Sequence, residues 1–542
     1  MLDELMQQFR DHAIRDTHIN IYRVFEDINL DGMAYAGGAG LNMTKKCLDG
    51  TRMEILNDIV DWINDSDVNA PRILWLHGQA GKGKSTIAHT IALWVKNLGG
   101  PGSCFCFARD RQAELREENM FTTIARDLAD CDPTFRRALA RVFSSNRSLM
   151  ATPDVIQQWE KLLLAPLSEA SSGMLGSIVV VIDALDESGL EQSRSGILSV
   201  LGSTHVTKLP SNFRLLMTSR PLPDIQAVLS GAGHVKALSL DDVPVAFTER
   251  DIRLFVSTKL GDLEDIGKKE VHKIAQKADG LFEWARLACE FIRLNTTGET
   301  VKERFNKCVV FASGEGNALL DNMYHSILES AVSRRPAALV RFCSVMRQLL
   351  HALQSLPIDG LNAMRQYFSH KHSHFSVAIV LYFMGPLLSG VTDHTNPVQP
   401  VHASFYDFLK DPLRSGDYFV DELDIQAEMA AASLQVLHDG LHFNICGLES
   451  SYLHDTEVLD LAERVKAKIP SHVSYSCQFW AKHLQATKFD PVIAGHVKDL
   501  LGNEKILFWF EALSLLGVLG NAVGALSSAG RWLQVSTKPV MC

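Results

Sequence analysis

The spacing of apolar residues along the chain changes near residue 235 and divides the sequence into two parts. In the first part, short apolar runs alternate with segments in which apolar residues recur every three or four positions. The short runs predict strands and the other segments predict helices, and this alternation is typical of a parallel sheet covered on both faces. The predicted strands are 72–77, 102–109, 178–183 and 213–220, and the predicted helices are 86–95, 119–128 and 155–167.

From about Val235 the period of the apolar pattern changes from two to 3.6 residues, so the second half is predicted to be mostly helical. Two of its apolar stretches have to be checked as membrane spans, 377–388 and 506–526. The first is too short and the second carries Glu511 and Asn521, so both are predicted as buried helices. The helices predicted most clearly are 248–260, 270–278, 281–294, 319–332 and 337–353.

A glycine-rich segment follows the first predicted strand and fits the pattern G-x-x-x-x-G-K-S. Its glycines let the backbone curl so that successive N–H groups point at one anion. Lys84 can then reach the terminal phosphates of a nucleotide, and the Ser85 hydroxyl can ligate Mg²⁺. The chain continues from Thr86 into a predicted helix, whose N-terminus also faces the phosphates. The predicted nucleotide-binding residues are Gly78, Gln79, Ala80, Gly81, Lys82, Gly83, Lys84, Ser85 and Thr86.

Three carboxylates close the third predicted strand, in the sequence Ile-Asp-Ala-Leu-Asp-Glu. A fully buried parallel strand delivers such residues to the carboxyl edge of the sheet, where ligands bind. Asp183 is predicted to hold Mg²⁺ together with Ser85, directly or through water. Asp186 and Glu187 are the candidates to orient or deprotonate an attacking water. The alternative is a surface acidic turn that caps the next helix.

Arg220 ends the fourth predicted strand, in the sequence Thr-Ser-Arg-Pro. At this edge of the sheet a guanidinium can sense the γ-phosphate or stabilise charge during phosphoryl transfer, so Arg220 joins Lys84, Asp186 and Glu187 as a catalytic candidate. The alternative is a structural ion pair with the neighbouring acidic strand.

The composition is that of an ordinary multidomain globular protein. The chain has 542 residues, of which 46% are hydrophobic and 21% are charged, and this length predicts about two to four domains. Its net charge of −10 argues against general nucleic-acid or anionic-membrane binding. The N-terminus lacks the apolar core of a signal peptide.

The ten cysteines are scattered, which predicts a reduced, cytoplasmic protein without a disulfide framework. Cys104 and Cys106 form the closest pair. With no second pair elsewhere in the sequence, metal binding is not predicted there.

Four features together resemble NACHT-type signal-transduction ATPases of the STAND class. They are the phosphate-binding loop, the D-A-L-D-E strand, the T-S-R-P strand end and the segment 280–285. The chain is most similar to the fungal, NLR-like group that carries a nephrocystin-like N-terminal P-loop module. The resemblance covers about residues 45–415 and begins at Cys47-Leu-Asp-Gly-Thr-Arg.

The resemblance implies an α/β P-loop NTPase with a parallel sheet, followed by an all-α lid, a winged-helix domain and a helical domain. It also implies that His402 touches the β-phosphate of bound ADP; the alternative is a capping or core histidine. The implied divisions are a short N-terminal helical segment (1–45), the NTPase core (46–235), the lid (236–312), a winged-helix-like domain (313–415), a C-terminal helical domain (416–534) and a tail (535–542).

In function, the resemblance implies a switch. ADP locks the domains together, exchange for ATP opens them and permits self-association, and slow hydrolysis resets the state. Such proteins act in fungal non-self recognition, programmed cell death and innate immunity, and their usual large effector domain and C-terminal repeats are not recognisable here. Two alternatives remain open: a non-hydrolysing scaffold stabilised by nucleotide, and a P-loop kinase or metabolic NTPase. The sequence has no N-K-x-D motif, so adenine is expected over guanine, and the protein partners are unknown.

Overall fold

A computed structural model describes most of the chain, and its described residues form two compact units, Met1–Cys289 and Glu290–Cys542. The predicted helical segment 1–45 is described only at residue 30 and from residue 32, and the tail only at residue 535. The described residues are 30, 32–109, 117–170, 174, 176–189, 191–294, 298–311, 316–368, 375–422, 425–450 and 458–535.

The first unit is built on a five-stranded sheet in the order β2-β3-β4-β1-β5, and every neighbouring pair in it is parallel. All five strands therefore end at the same edge. Four of them confirm the strands predicted from the short apolar runs. The strands are β1 (Ile73–His77), β2 (Gly102–Cys106), β3 (Ile178–Asp183), β4 (Phe213–Ser219) and β5 (Val235–Ser239).

Strand β5 corrects the prediction that the helical period begins at about Val235. It lies at the edge of the sheet, beside β1, and none of its five residues is fully buried. An edge strand with little buried surface carries a weak apolar alternation, and the pattern missed it for that reason.

Helices cover both faces of this sheet, as predicted. Alternate residues of β3 belong to separate hydrophobic clusters, with Ile178 and Val180 in one and Val179 and Val181 in the other. The helices of the first unit are α1 (Met53–Ile63), α2 (Lys84–Asn97), α3 (Glu117–Cys131), α4 (Pro133–Ser145), α5 (Val155–Gln158), α6 (Ala165–Ala170), α7 (Glu191–Leu201), α8 (Pro223–Leu229), α9 (Val245–Leu260), α10 (Lys268–Lys277) and α11 (Phe282–Arg293).

The single helix predicted over 155–167 is interrupted. A π-helical turn, Trp159–Leu164, separates α5 from α6. Pro166 is the second residue of α6 and has no backbone N–H, so one hydrogen bond of a regular α-helix is missing at this point.

The second unit is mostly helical, as predicted, with one short antiparallel pair of strands, β6 (Leu388–Ser389) and β7 (Gln399–Pro400). Its helices are α12 (Val301–Phe311), α13 (Asn317–Ala331), α14 (Pro336–His351), α15 (Ile358–Arg365), α16 (Ala378–Leu381), α17 (Ala403–Leu409), α18 (Pro412–Ser415), α19 (Ile425–Gly440), α20 (Leu461–Lys468), α21 (Ser471–Gln485), α22 (Pro491–Gly502), α23 (Lys505–Leu515) and α24 (Asn521–Val535).

The two long apolar stretches of this unit differ from the prediction of one buried helix each. The stretch 377–388 contains only the four residues of α16 as α-helix and leaves Ile379 and Tyr382 about two-thirds exposed. The stretch 506–526 is divided between α23 and α24. Among the described residues, no helix combines the length and the apolar character needed to cross a membrane.

Candidate nucleotide-binding site

The predicted phosphate loop leaves β1 at His77 and enters α2 at Lys84, and glycine is required along it. Gly78, Gly81 and Gly83 have φ angles of +151°, +82° and +92°, a region that L side chains rarely adopt. A Cβ at Gly78 would also lie 3.1 Å from the Cβ of Leu240. The backbone geometry is thus that of a loop closing on the N-terminus of a helix, which favours an anion.

Lys84 is held by the loop itself. Its Nζ donates to the carbonyl oxygens of Gly78 and Gln79, both at 2.8 Å. Burial lowers the pKa of Lys84 below its usual value. Ser85 and Thr86 follow in the first turn of α2.

The rest of the loop is tied to the sheet edge by Asp241. The backbone N–H of Gln79 donates to Asp241 Oδ2 at 3.3 Å, and Lys82 Nζ lies 3.8 Å from Asp241 Oδ1. Ala80 is half-buried beside these residues.

Arg52 braces the loop, a role that the sequence analysis did not assign. Its guanidinium donates to the carbonyl oxygen of Lys82 at 2.7 Å and lies 4.6 Å from the centre of the Phe282 ring. Its backbone N–H donates to Asp251 Oδ2 at 2.9 Å. The Glu283 N–H donates to the carbonyl oxygen of Gly81 at 3.1 Å. The sequence showed only that Arg52 is a charged residue at the end of the Cys47–Arg52 segment. It did not show that the Arg52 side chain is buried against the loop.

Asp183 ends β3 at the carboxyl edge of the sheet, where the sequence predicted it. The Thr218 hydroxyl donates to Asp183 Oδ1 and accepts from the Ala184 N–H at 2.9 Å. Thr218, at the end of β4, therefore orients the carboxylate, which sequence reasoning had not proposed. The hydroxyl of Ser85 and the carboxylate of Asp183 are hard oxygen ligands of the kind that Mg²⁺ prefers, so these residue types fit that ion.

Asp186 and Arg220 form an ion pair, which is the alternative that the sequence left open for Arg220. The Arg220 side chain donates from Nε to Asp186 Oδ2 at 2.6 Å, and its backbone N–H donates to Oδ1 at 3.0 Å. Burial acts to raise the pKa of Asp186, but Arg220 outweighs it and holds the pKa below its usual value. A carboxylate so stabilised is a poor base. The contribution of Arg220 to γ-phosphate sensing stays a prediction.

Glu187 is the better candidate for a general base. Burial and then the charge of Asp186 raise its pKa to about 7. A base is most effective when its pKa lies near the working pH, so Glu187 is suited to accept a proton from water.

We expect the ligand-free chain to lose stability between about pH 4.3 and pH 7 through Glu187. In the unfolded chain its pKa is about 4.3, so in this window the folded state binds more protons and stability falls as pH rises. Glu187→Gln removes this slope and raises the free energy of unfolding at pH 8 by up to about 3 kcal/mol. Urea unfolding of both proteins at pH 5 and pH 8, with a chelator present, measures the difference. A difference that is the same at both pH values would contradict the assignment.

We expect Arg220→Ala to lower the free energy of unfolding by about 3–5 kcal/mol, because it leaves the buried carboxylate of Asp186 without its cation. The matched control is Arg141→Ala, which breaks the exposed ion pair with Glu169 and is expected to cost less than about 1 kcal/mol. Denaturant unfolding at pH 7 measures both. Equal costs for the two variants would show that the Asp186–Arg220 pair is not buried as described.

His402 lies in the second unit, where it caps α17. Its Nδ1 accepts the Ser404 N–H at 3.2 Å and is 2.6 Å from the Ser404 hydroxyl. The capping alternative named in the sequence analysis is thus present. Contact with a β-phosphate stays a prediction.

Comparison with known proteins agrees with a nucleotide-binding fold in the first part of the chain. Residues 50–220 match the family model described as Nephrocystin 3, N-terminal. Over 530 residues the chain is 23% identical to the vegetative incompatibility protein HET-E-1 of Podospora anserina, a match that covers 89% of this chain and 36% of that protein. The chain thus spans about a third of this relative. The resemblance to NACHT-type proteins is confirmed, and so is the fold class of a P-loop NTPase with helical domains.

Two solved structures are distantly similar to the chain. Caenorhabditis elegans (C. elegans) PCH-2 is 13% identical, with 52% of this chain and 72% of that chain covered and a TM-score of 0.27. The Drosophila ORC bound to DNA is 16% identical, with 63% and 81% covered and a TM-score of 0.25.

Proposed function

We propose that the chain is a nucleotide-dependent switch, which binds ADP or ATP with Mg²⁺ and couples the bound nucleotide to self-association. The observation that carries this proposal is the attachment of the phosphate loop to residues beyond the sheet. Gly81 accepts a hydrogen bond from the first turn of α11, and Arg52 connects Lys82 to α9 through Asp251. A change in loop conformation therefore acts on two helices that follow the sheet.

In this proposal each residue of the site has one task. Lys84 and the loop N–H groups bind the phosphates, and Ser85 and Asp183 hold Mg²⁺, which neutralises phosphate charge when bound. Glu187 takes the proton of the attacking water. Arg220 exchanges its bond with Asp186 for the γ-phosphate, so that only the triphosphate breaks the ion pair. A switch requires a ligand that distinguishes two states, and this exchange supplies the difference. His402 is proposed to contact the β-phosphate of ADP.

The biological setting is proposed from the relative. The similarity to a vegetative incompatibility protein favours a role for this chain in fungal non-self recognition and programmed cell death. The protein partners in such a role are yet to be identified. The thiols of seven described cysteines are free, which supports a reducing, cytoplasmic compartment: Cys47, Cys104, Cys106, Cys131, Cys343, Cys446 and Cys477.

The test is the molar mass of the purified chain by light scattering, with Mg²⁺ and either ADP or a slowly hydrolysed ATP analogue. We expect a monomer with ADP and a larger assembly with the analogue, and no growth for Lys84→Ala. The same mass with both nucleotides would favour the non-hydrolysing scaffold and reject the switch.

A further inference from the structure

Three metal-ligating side chains meet behind the phosphate loop, in a group that the nucleotide site does not use. His89 belongs to α2. Cys104 and Cys106 are two residues apart on β2, so their side chains lie on the same face of the sheet. The two Sγ atoms lie 3.6 Å apart, and Cys106 Sγ is 3.7 Å from His89 Nε2. All three ligand atoms lie within 4.8 Å of one another.

The geometry points to a binding site for a thiophilic divalent cation of the zinc class. Zinc binds thiolate at about 2.3 Å and imidazole at about 2.0–2.1 Å in a tetrahedron, so its ligand atoms stand about 3.8 Å (S to S) and about 3.6 Å (S to N) apart. The Cys104–Cys106 and Cys106–His89 separations are within about 0.2 Å of these values, and Cys104 Sγ lies within 4.8 Å of the His89 ligand atom. Two side chains from one strand and one from a helix thus converge on a single ion position. The inference does not depend on the proposed switch.

Asp183 lies beside the cluster, next to His89. Its Oδ2 lies 3.9 Å from His89 Nε2, and its Cα is the partner of the Cys106 Cα in the sheet register. The other oxygen, Oδ1, is occupied by the Thr218 hydroxyl. Asp183 therefore lies between this cluster and the Mg²⁺ site, with sulfur and nitrogen atoms on one side and oxygen ligands on the other. Zinc bound at the cluster is expected to weaken Mg²⁺ binding at Asp183.

The segment 39–42 closes the cluster and sets the conditions for loading. The Cys106 N–H donates to the Ala39 carbonyl at 2.7 Å, and the Asn42 N–H donates to His89 Nδ1 at 3.2 Å. In this arrangement the neutral imidazole carries its proton on Nε2. Binding at Nε2 requires that proton to move to Nδ1, which releases the Asn42 N–H, while the two thiols lose their protons to solvent. Binding of the ion therefore breaks the hydrogen bond between Asn42 and His89.

The experiment titrates the reduced, metal-free full chain with Co²⁺ and follows the thiolate-to-metal charge-transfer absorption. We expect one equivalent to bind and to be displaced by Zn²⁺. Cys104→Ser and Cys106→Ser are expected to weaken binding by at least about 100-fold. The matched control, Cys131→Ser, removes an exposed thiol outside the cluster and is expected to bind as the unaltered chain does.

X-ray absorption of the Zn²⁺-loaded unaltered chain gives a second measurement, which does not depend on whether the variants fold. Two sulfur ligands at about 2.3 Å would support the site. A shell of oxygen and nitrogen alone, the absence of a charge-transfer band in the unaltered chain, or a band that both serine variants retain would overturn it. A negative result in the light-scattering experiment would reject the switch but would not change these outcomes. The proposed switch and the proposed metal site are therefore tested independently.

Discussion

Replacing Lys84 with alanine is expected to weaken ADP and ATP binding by at least about 100-fold, which corresponds to about 2.7 kcal/mol. The Nζ of Lys84 stands at the mouth of the loop, bonded to two of its carbonyl oxygens, and is the cation placed to meet the phosphates. Charged hydrogen bonds to phosphate are stronger than neutral ones, so the loss of this cation removes one of the strong contacts of the proposed site. Calorimetric titration with each nucleotide and Mg²⁺ measures the loss.

Lys96→Ala is the matched control for this experiment, because it removes an equal charge from the exposed last turn of the same helix. It is expected to change affinity less than twofold. A second readout is thermal unfolding, since a ligand at 100 times its Kd stabilises the folded state by about 2.7 kcal/mol. That stabilisation should be present in the unaltered chain and in Lys96→Ala and absent in Lys84→Ala. Unchanged affinity in Lys84→Ala would reject the nucleotide site.

Replacing Glu187 with glutamine is expected to slow ATP hydrolysis by about 10²- to 10⁴-fold while nucleotide binding is retained. Glutamine keeps the shape of the side chain but cannot accept the proton of the attacking water. The variant should therefore remain bound to ATP and stay in the larger assembly after the unaltered chain has returned to monomer. Phosphate release and light scattering on the same sample, at pH 8 with Mg²⁺, measure both effects.

Glu191→Gln serves as the control, because Glu191 is an exposed carboxylate four residues further along the chain. Its hydrolysis and disassembly should match those of the unaltered chain. If Glu187→Gln hydrolyses ATP at the normal rate, Glu187 is not the base. If neither protein hydrolyses ATP and both assemble equally, the non-hydrolysing scaffold is the better description.

The parts of the fold that the sequence predicted are those in which one short segment carries the whole signal. Strand β3 is buried along its full length and ends in acids, so its place in the sheet and the position of Asp183 both follow from six consecutive residues. The phosphate loop could also be predicted from neighbouring residues alone. Its glycines adopt the positive φ angles, and Lys84 bonds to carbonyl oxygens of the same loop. The positions of these residues therefore needed no knowledge of distant contacts.

Features that depend on contacts between distant residues could not be predicted. Thr218 orients Asp183 across 35 positions of sequence, and Arg52 reaches Asp251 across 199. The grouping of His89 with Cys104 and Cys106 could not be read for the same reason, since His89 comes from a neighbouring helix. Metal binding at this group is a proposal. Strand β5 was not predicted for a different reason. It is a half-exposed edge strand, and its sequence has little apolar alternation to detect.

The central claim is that the loop from Gly78 to Ser85 holds an adenine nucleotide. The most direct test is to purify the full chain, denature it, and identify and count the nucleotide released, before and after incubation with ATP and Mg²⁺. We expect about one adenine nucleotide per chain after incubation, mainly ADP, and none for Lys84→Ala. A folded chain that carries no nucleotide and takes none up would contradict it.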